Sequence, residues 1–342
     1  MESFEGKLAV VTGGGSGMGR ELVRQLAGHG CSVATCDVYP ETVAETAELA
    51  RAGAADGVTV TAHTADVSNE SQVLRFRDEL LEAHQTGHVD LVFSNAGIGG
   101  GASFVKAPRE EWERVFAVNW QGVYYCARAF LPLLIQSPEG VLVNTSSING
   151  FFASLGAGNP HTAYSTSKFA VKGFSEALIE DLRVNAPHVR VMLVMPGHVG
   201  TNIVGNSLRA HGVPDPASLT VEELKLVQSV LADRGLPVGE VPAAALPQAL
   251  AKLNDDFRDS APLTAAGAAT IILDGVRSGA WRVLVGEDAK LLDTFIRGNP
   301  ERTYDYDEMA KALGGDPALS PGSPSMAVSW ITAACSQRIG YV

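Results

Sequence analysis

The chain has 342 residues, of which 46% are hydrophobic and 19% are charged, and its formal net charge at pH 7 is −12. This composition is typical of one large or two small globular domains, and the acidity disfavours a nucleic acid or an anionic membrane as partner because like charges repel. We expect neither a membrane span nor a secretion signal, because the sequence has no apolar run of about 20 residues and no basic and apolar leader.

Short, nearly continuous apolar runs alternate along the chain with longer amphipathic stretches. The runs predict seven strands, at 7–13, 31–37, 58–63, 89–94, 140–146, 189–195 and 281–285. The longer stretches predict helices at 17–30, 40–53, 69–85, 109–135, 163–186 and 264–279. Runs without polar alternation are typical of strands buried on both faces. The order therefore predicts an α/β fold with a doubly wound parallel sheet and helices on both faces.

The first predicted strand runs into a glycine-rich turn, "TGGGSGMG" at 12–19, which opens the first helix. Glycines at 13, 17 and 19 permit a tight turn, and a helix N-terminus offers N–H groups and a positive dipole end to a pyrophosphate. An ordinary flexible turn is the alternative. The strand before it and the helix after it favour a phosphate-binding turn formed by Gly13, Ser16, Gly17, Met18 and Gly19.

The second predicted strand ends on Asp37, 20 residues beyond Gly17. An acidic residue at this position accepts hydrogen bonds from both ribose hydroxyls of a dinucleotide and repels a 2′-phosphate. Neither Val38 nor Tyr39, which follow, is basic. The pattern predicts NAD rather than NADP as the cofactor.

Two further positions break the local pattern of their helices. Asn119 falls seven residues after Trp112 in an apolar stripe, where a buried amide needs partners, so it either has a functional role or is a structural residue that kinks the helix. Tyr164 and Lys168 in "YSTSK" are four residues apart, which puts both side chains on one helical face. An ammonium group near a phenol favours the phenolate and lowers its pKa, as base chemistry at neutral pH requires.

The region 199–263 contains several prolines and no good strand. Its position at the carboxyl edge of the sheet predicts a substrate lid. The alternative is a helical appendage with a structural role only. The tail from 287 to 342 is expected to be partly linker-like or disordered. Its segment 314–325 is rich in Gly, Pro and Ser, and its last apolar stretch is either disordered or docked on a neighbouring subunit.

Cysteine and histidine spacing indicates neither disulfides nor a metal. Cys31, Cys36, Cys126 and Cys335 form no CxxC pair, so we interpret them as small buried hydrophobic residues in a protein of the reducing cytoplasm. His84 and His88 have a metal-like spacing but no accompanying carboxylate or cysteine set, and no metal is expected.

The ordered motifs "TGGGSGMG", "NAG" at 95–97, Asn119, "SS" at 146–147, "YSTSK" and "PGHVGT" at 196–201 resemble those of the short-chain dehydrogenase/reductase family. The resemblance covers about residues 5–285. It implies a Rossmann-fold dehydrogenase domain over 1–286 that includes the lid, and a homodimer or homotetramer. Relatives pair through the helices beginning near 109 and 163, and form tetramers through the last strand and helix.

The resemblance also implies the site residues. Tyr164 would be the general acid/base, Lys168 would tune it and bind the nicotinamide ribose, and Asn119 would hold a water in a proton relay. Ser147 would bind the substrate oxygen, with Ser146 as the runner-up. Further implied cofactor contacts are Asp66, Val67, Asn95, Ala96, Gly97, Pro196, Gly197, Val199 and Thr201.

The implied activity is reversible hydride transfer between NAD and a secondary alcohol or ketone, and Phe151, Phe152 and an apolar lid favour a hydrophobic small-molecule substrate. The alternatives are a catalytically silent NAD-binding sensor or scaffold, which the complete tetrad disfavours, and a nucleotide-sugar epimerase, for which the region after 199 is too small. The chain departs from the family in the four extra residues between Ser147 and Tyr164, within 151–161. His161 and His198 lie near the presumed site, although His161 is expected at the surface.

Overall fold

The computed structural model describes residues 1–233 and 238–312. Seven parallel strands form one sheet in the order β3-β2-β1-β4-β5-β6-β9, and two short strands, β7 and β8, pair with each other outside it. The strands are β1 Leu8–Thr12, β2 Ser32–Asp37, β3 Val60–Thr64, β4 Leu91–Ser94, β5 Gly140–Thr145, β6 Val189–Pro196, β7 Val199–Gly200, β8 Leu263–Thr264 and β9 Arg282–Val285.

Twelve α-helices connect and cover these strands in the described part of the chain. They are α1 Gly17–Gly28, α2 Pro40–Ala52, α3 Glu70–His84, α4 Arg109–Phe116, α5 Gly122–Ile135, α6 Thr162–Asn185, α7 Ile203–Ala210, α8 Val221–Asp233, α9 Leu246–Asp259, α10 Ala265–Ser278, α11 Glu287–Gly298 and α12 Tyr306–Ala312. Each of the seven predicted strands is confirmed within three residues at its ends. The doubly wound α/β prediction is therefore confirmed.

The apolar runs are continuous because both faces of the sheet are buried. In β1, Ala9 and Val11 pack with the core under α1, α2 and α10, whereas Leu8 and Val10 pack with the core under α3, α5 and α6. Successive side chains of a strand point to opposite faces, so a strand covered on both sides needs apolar residues at every position.

The predicted helix over 109–135 is interrupted by one turn of π-helix at Ala117–Gln121, between α4 and α5. This turn contains Asn119, and single π turns inside α-helices often occur at functional sites. The buried Asn119 in the apolar stripe thus lies at the one irregular turn between α4 and α5.

The region 199–263 forms α7, α8 and α9, which share a small apolar core of their own. The prediction that it lacks a strand needs a minor correction, because two-residue strand β7 pairs in parallel with β8 at its end. After β9, α11 and α12 pack on the loop that follows β5, through Phe152, Leu292, Phe295 and Met309. The predicted linker at 314–325, the apolar end of the tail and Cys335 lie outside the described residues.

In the part of the chain that the structure describes, no helix has the length and apolar character needed to cross a bilayer.

Candidate active site

The predicted site residues meet at the carboxyl edge of the sheet, on either side of the point where the strand order reverses between β1 and β4. In doubly wound sheets this crevice is where ligands bind. Two adjoining cavities occupy it: a larger one of about 310 Å³ and a smaller one of about 160 Å³. Every predicted site residue lines one or both of them, with the exception of Asn119.

The glycine-rich turn forms one wall of the smaller cavity. Gly13 and Gly17 have φ angles of +68° and +53°, and a Cβ on Gly19 would overlap the Gly13 carbonyl, so this turn requires glycine at all three positions. α1 begins at Gly17 without a side-chain cap on its first N–H groups and without an acidic residue in its first turn. A helix N-terminus left open in this way attracts an anionic group.

Asp37 lies at the end of β2, beside the same turn. One carboxylate oxygen accepts a hydrogen bond from the Gly15 N–H at 2.9 Å, and the other accepts from the Tyr39 N–H at 3.2 Å. Burial raises the pKa of Asp37, while these hydrogen bonds act in the opposite direction. The carboxylate keeps acceptor positions to spare, because each of its oxygens has more than one lone pair.

The structure brings two arginines near the smaller cavity that sequence inspection around Asp37 could not find. The guanidinium of Arg209, on α7, lies 3.5 Å from the ring centroid of Tyr39 and pairs with Glu41. Arg114, on α4, pairs with Asp66 at 3.0 Å. Burial opposes ionisation of Asp66, but hydrogen bonds from Ser68 and the pairing with Arg114 prevail and lower its pKa.

Asn95 connects the two cavities. Its amide nitrogen donates to the Thr12 carbonyl at 3.1 Å, and its amide oxygen is buried without a hydrogen-bond partner among the described residues. A Cβ on Gly13 would come within 2.7 Å of the Ala96 Cα, so the glycine turn and the loop after β4 are in close contact. The unpartnered oxygen at this junction can accept a hydrogen bond from a ligand that spans both cavities.

Tyr164 and Lys168 lie one turn apart on α6, as their spacing predicts. Ser147 follows β5, and its side chain is the hydrogen-bonding group that opposes the rise in the pKa of Tyr164. The Lys168 ammonium donates to the Thr145 carbonyl at 2.9 Å and lies 5.5 Å from the centroid of the Tyr164 ring. The Ser146 hydroxyl instead donates to the Lys168 carbonyl at 2.8 Å, so of the two serines Ser147 is the one in contact with Tyr164.

The expectation that Lys168 lowers the pKa of Tyr164 is not met in the ligand-free protein. Burial raises the pKa of Tyr164, and the hydrogen bond with Ser147 only partly opposes it. Burial also lowers the pKa of Lys168, to about 8. The physical reason is that both groups have been removed from water, which disfavours the charged form of each.

Asn119 is completely buried and does not reach either cavity. Its amide oxygen accepts from the Ile98 N–H at 2.9 Å, and its amide nitrogen donates to the Ile98 carbonyl at 2.9 Å and to Ser167 at 3.3 Å. The side chain therefore ties the π turn to the loop after β4 and to α6. Its part in a proton relay stays a prediction.

The "PGHVGT" loop is fixed by elements far away in the sequence. The Gly197 N–H donates to the Val285 carbonyl at 3.0 Å, and the His198 N–H donates to a carboxylate oxygen of Asp288 at 2.6 Å. A Cβ on Gly197 would overlap the Asp288 side chain. The first turn of α11, part of the predicted extension, thus braces this loop.

Sequence reasoning missed part of the larger cavity's lining. Leu291 and Leu292 of α11 line it together with Phe152. The loop with four extra residues is held there by α12, because Ser154 is hydrogen-bonded to the Tyr306 hydroxyl at 2.8 Å. The apolar pattern of 287–298 was the available signal, but it did not indicate what this helix covers.

The expectation of a surface position for His161 is wrong. The side chain is 6% exposed, and its ring is stacked on that of Tyr164, with centroids 4.6 Å apart and planes at 14°. Burial lowers its pKa to about 3. The turn-like composition of 151–161 did not reveal that the ring would be buried against Tyr164.

In residues 1–233 and 238–312, no three His, Cys, Asp or Glu side chains form a group that could hold a metal ion. His84 is hydrogen-bonded to the Thr61 hydroxyl at 3.0 Å.

A family model and the sequences of known proteins both match this chain to dehydrogenases and other oxidoreductases. The family model described as short chain dehydrogenase matches residues 7–211. The chain is 34% identical over 297 residues to the protein named as the oxidoreductase SadH of Mycobacterium tuberculosis, covering 87% of this chain and 92% of that protein. It is 36% identical over 204 residues to epidermal retinol dehydrogenase 2 of Mus musculus, covering 59% of this chain and 63% of that protein.

Among solved structures, a short-chain dehydrogenase/reductase from Burkholderia phymatum in complex with NAD is 28% identical, with a TM-score of 0.67. The match covers 87% of this chain and 97% of that one.

Proposed function

This chain belongs to the short-chain dehydrogenase/reductase family of oxidoreductases, and from that premise we propose that it transfers a hydride between NAD and a secondary alcohol or ketone of a small, apolar substrate. One observation carries the proposal. The Ser147–Tyr164 pair and Lys168 lie at one end of a largely apolar cavity that adjoins the glycine-rich turn.

The residues present fit a nicotinamide dinucleotide. The glycine turn has no room for a Cβ at Gly13 or Gly19, the N-terminus of α1 is open to a phosphate group, and the Asn95 amide oxygen is buried without a partner among the described residues. Gly13, Ser16, Gly17, Met18 and Gly19 would hold the pyrophosphate, and Asp37 the adenosine ribose. Asp66, Val67 and Asn95–Gly97 would lie along the adenine side, with Pro196, Gly197, Val199 and Thr201 at the nicotinamide end. When bound, the nicotinamide ring supplies the hydride acceptor or donor.

The protein's own side chains handle the proton. In alcohol oxidation the Tyr164 oxygen takes the proton of the substrate hydroxyl as the hydride leaves the carbon, and in ketone reduction it returns a proton to the carbonyl oxygen. Ser147 donates a hydrogen bond to the substrate oxygen and holds it beside Tyr164. With a pKa of about 8, Lys168 is protonated at neutral pH, and its charge favours the phenolate form that oxidation requires.

The charges around the smaller cavity support NAD rather than NADP. Asp37 offers carboxylate oxygens to ribose hydroxyls and would repel a 2′-phosphate. The arginines that the fold brings nearby are already compensated, since Arg209 pairs with Glu41 and Arg114 with Asp66.

Exposed aromatic side chains support a homodimer or homotetramer. Tyr124 on α5 and Phe169 on α6 are each 41% exposed, and Trp281 beside β9 is 47% exposed. Large exposed apolar groups on these elements favour contact with a second copy. A reducing cytoplasmic location is supported by Cys31, Cys36 and Cys126, which are all buried and unpaired.

The test is to incubate the purified protein with NAD and a panel of neutral secondary alcohols, and to follow the absorbance of reduced nicotinamide. We expect turnover with at least one apolar alcohol, and a loss of that turnover in Tyr164→Phe. A protein that binds NAD but oxidises none of the alcohols and reduces none of the matching ketones would instead be a silent sensor or scaffold.

A further inference from the structure

His161 occupies a position at which a polar side chain needs a reason. It immediately precedes α6 and lies three residues before Tyr164, at the end of the loop with four extra residues. Together with Ser147 and Tyr164 it lines the larger cavity, and only 6% of the residue is exposed to solvent. Its ring lies flat against the Tyr164 ring, at 4.6 Å between centroids.

The described residues give the His161 ring no hydrogen-bond partner at Nδ1, and this atom is fully enclosed. A neutral imidazole carries one N–H donor and one acceptor nitrogen. Buried N–H groups without a partner are rarer than under-satisfied acceptors, so the proton belongs on Nε2, and enclosed Nδ1 keeps the lone pair.

This tautomer directs a donor to the cavity. Nδ1 is fully enclosed, whereas Nε2 is not among the enclosed atoms, so Nε2 is the nitrogen that the ring can present to the cavity. Burial keeps the imidazole neutral, with a pKa of about 3. The group that His161 offers is therefore an uncharged N–H on a ring that is stacked against the Tyr164 ring.

The remaining lining limits the charge of the occupant. Lys168 is the one cationic side chain among the described residues of the larger cavity, and Glu287 and Asp288 add two negative charges to its lining. Most other walls are apolar, including those from Phe152, Leu155 and Leu292. A substrate carboxylate would thus be repelled, whereas an uncharged oxygen would satisfy the His161 donor.

We infer that His161 is a specificity-determining residue that donates a hydrogen bond to a second, uncharged oxygen of the substrate, on a neighbouring carbon of the alcohol or ketone group. The preferred substrate class is a neutral, otherwise apolar hydroxyketone, diol or ketoester, not a simple alcohol and not a hydroxy acid. This inference rests on the proposed function for the reacting group, but the hydrogen bond itself can be tested by binding alone.

The probes are three alcohols of similar size: phenyl acetyl carbinol, which has a carbonyl next to the reacting carbon; ethyl phenyl carbinol, in which that carbonyl is a methylene group; and mandelate, in which it is a carboxylate. We expect the wild-type protein to prefer phenyl acetyl carbinol over ethyl phenyl carbinol by about tenfold or more in kcat/KM, because a site built to hydrogen-bond an oxygen rejects the analogue that lacks it. Mandelate should be the poorest of the three.

The decisive variant is His161→Phe, which keeps a flat aromatic ring, one atom larger than the imidazole, and removes both nitrogens. It should reduce the preference for phenyl acetyl carbinol to near unity while changing kcat/KM for ethyl phenyl carbinol by less than about threefold. His161→Gln, which restores a donor, should recover part of the preference. His188→Phe, the same change at a histidine outside both cavities, is the matched control and should leave the preference intact.

An equal loss with both alcohols in His161→Phe would mean that the ring only positions Tyr164, and would overturn the inference. Calorimetry in a Tyr164→Phe background, with NAD present, gives a readout that does not depend on turnover. There, adding His161→Phe should weaken binding of phenyl acetyl carbinol by about tenfold and leave ethyl phenyl carbinol unchanged. Equal affinities before and after the change, or no binding of either alcohol, would refute the role of His161. Absence of turnover in the wild-type protein with binding retained would count against the proposed function alone.

Discussion

The buried ammonium of Lys168 should lower the free energy of unfolding of the ligand-free protein, although the proposed activity needs this group. The residue is 3% exposed, and its single described hydrogen bond is to the Thr145 carbonyl. Burial lowers its pKa from an ordinary value of 10.5 to about 8. Because each pH unit corresponds to about 1.4 kcal/mol, keeping this group charged in the folded protein costs about 3 kcal/mol at neutral pH.

We predict that Lys168→Met stabilises the ligand-free protein at pH 7. The substitution removes the buried charge, worth about 3 kcal/mol, but leaves the Thr145 carbonyl without this donor, which costs about 1–2 kcal/mol. The expected net gain in the free energy of unfolding is about 1–2 kcal/mol. The same variant should lose NAD binding and turnover, since the ammonium is proposed to bind the ribose and to favour the phenolate.

The gain should depend on pH in a defined window. Between about pH 8 and 10.5 the unfolded wild-type chain keeps the lysine proton while the folded protein has lost it. Wild-type stability therefore rises with pH relative to Lys168→Met by up to about 3 kcal/mol across this window, so the advantage of Lys168→Met, about 1–2 kcal/mol, shrinks and then reverses. Below about pH 8 the full difference is present.

Urea unfolding at equal protein concentrations, from pH 7 to pH 10 and with or without NAD, measures these quantities. NAD at 100 times its Kd should stabilise the wild type by about 3 kcal/mol and Lys168→Met by much less. The matched control is Lys172→Met, one turn further along α6, whose ammonium is half-buried and pairs with Glu176 at 3.0 Å. That change should shift stability by less than about 1 kcal/mol. The reasoning is refuted if Lys168→Met is clearly less stable than the wild type at pH 7, or if the difference does not change up to pH 10.

Four other expectations can be checked with standard assays. Asp37→Ala should narrow the preference for NAD over NADP, because it removes both the ribose acceptor and the negative charge; a wild-type kcat/KM with NADP that equals or exceeds that with NAD would contradict the assignment. Tyr164→Phe should reduce kcat at least about 100-fold while NAD affinity measured by calorimetry changes little, and retention of more than about a tenth of kcat would rule out its acid/base role. Light scattering at micromolar concentration should give the mass of a dimer or tetramer, and a monomer would contradict the assembly proposal. Amide exchange over 200–235, of which 234 and 235 lie outside the described residues, should be faster than in the sheet and should slow when NAD is bound. The reason for the slowing is that α7 contacts the glycine turn through the Asn206–Ser16 hydrogen bond at 2.8 Å. Protection equal to that of the sheet in both states would rule out a mobile lid.

Local patterns in the sequence determined the sheet and most of the site. The apolar runs predict all seven strands because a strand covered on both faces needs an apolar side chain at every position. The positions of the glycine turn, Asp37 and Ser147 follow from the same logic, since the carboxyl ends of parallel strands all meet at one edge. Tyr164 and Lys168 share a helical face because the period of the helix fixes it.

The tertiary structure alone decided which distant segments complete the cavities. Asp288 and Leu292 reach the site because α11 folds back from β9 across the carboxyl edge, and Arg209 reaches Tyr39 because α7 crosses the smaller cavity. No periodic pattern in the sequence predicts either contact, because both depend on how helices that are distant in the sequence pack at the edge of the sheet.

Electrostatics was likewise a property of the packed molecule. The i,i+4 spacing of Tyr164 and Lys168 predicts that the pKa of the tyrosine is lowered, but burial of the tyrosine raises its pKa in the ligand-free protein. The sequence gives the identity and spacing of ionisable groups, whereas desolvation depends on every element that surrounds them. His161 shows the same limit, because a turn-like sequence predicts exposure, whereas in the folded protein its ring is buried and stacked on Tyr164.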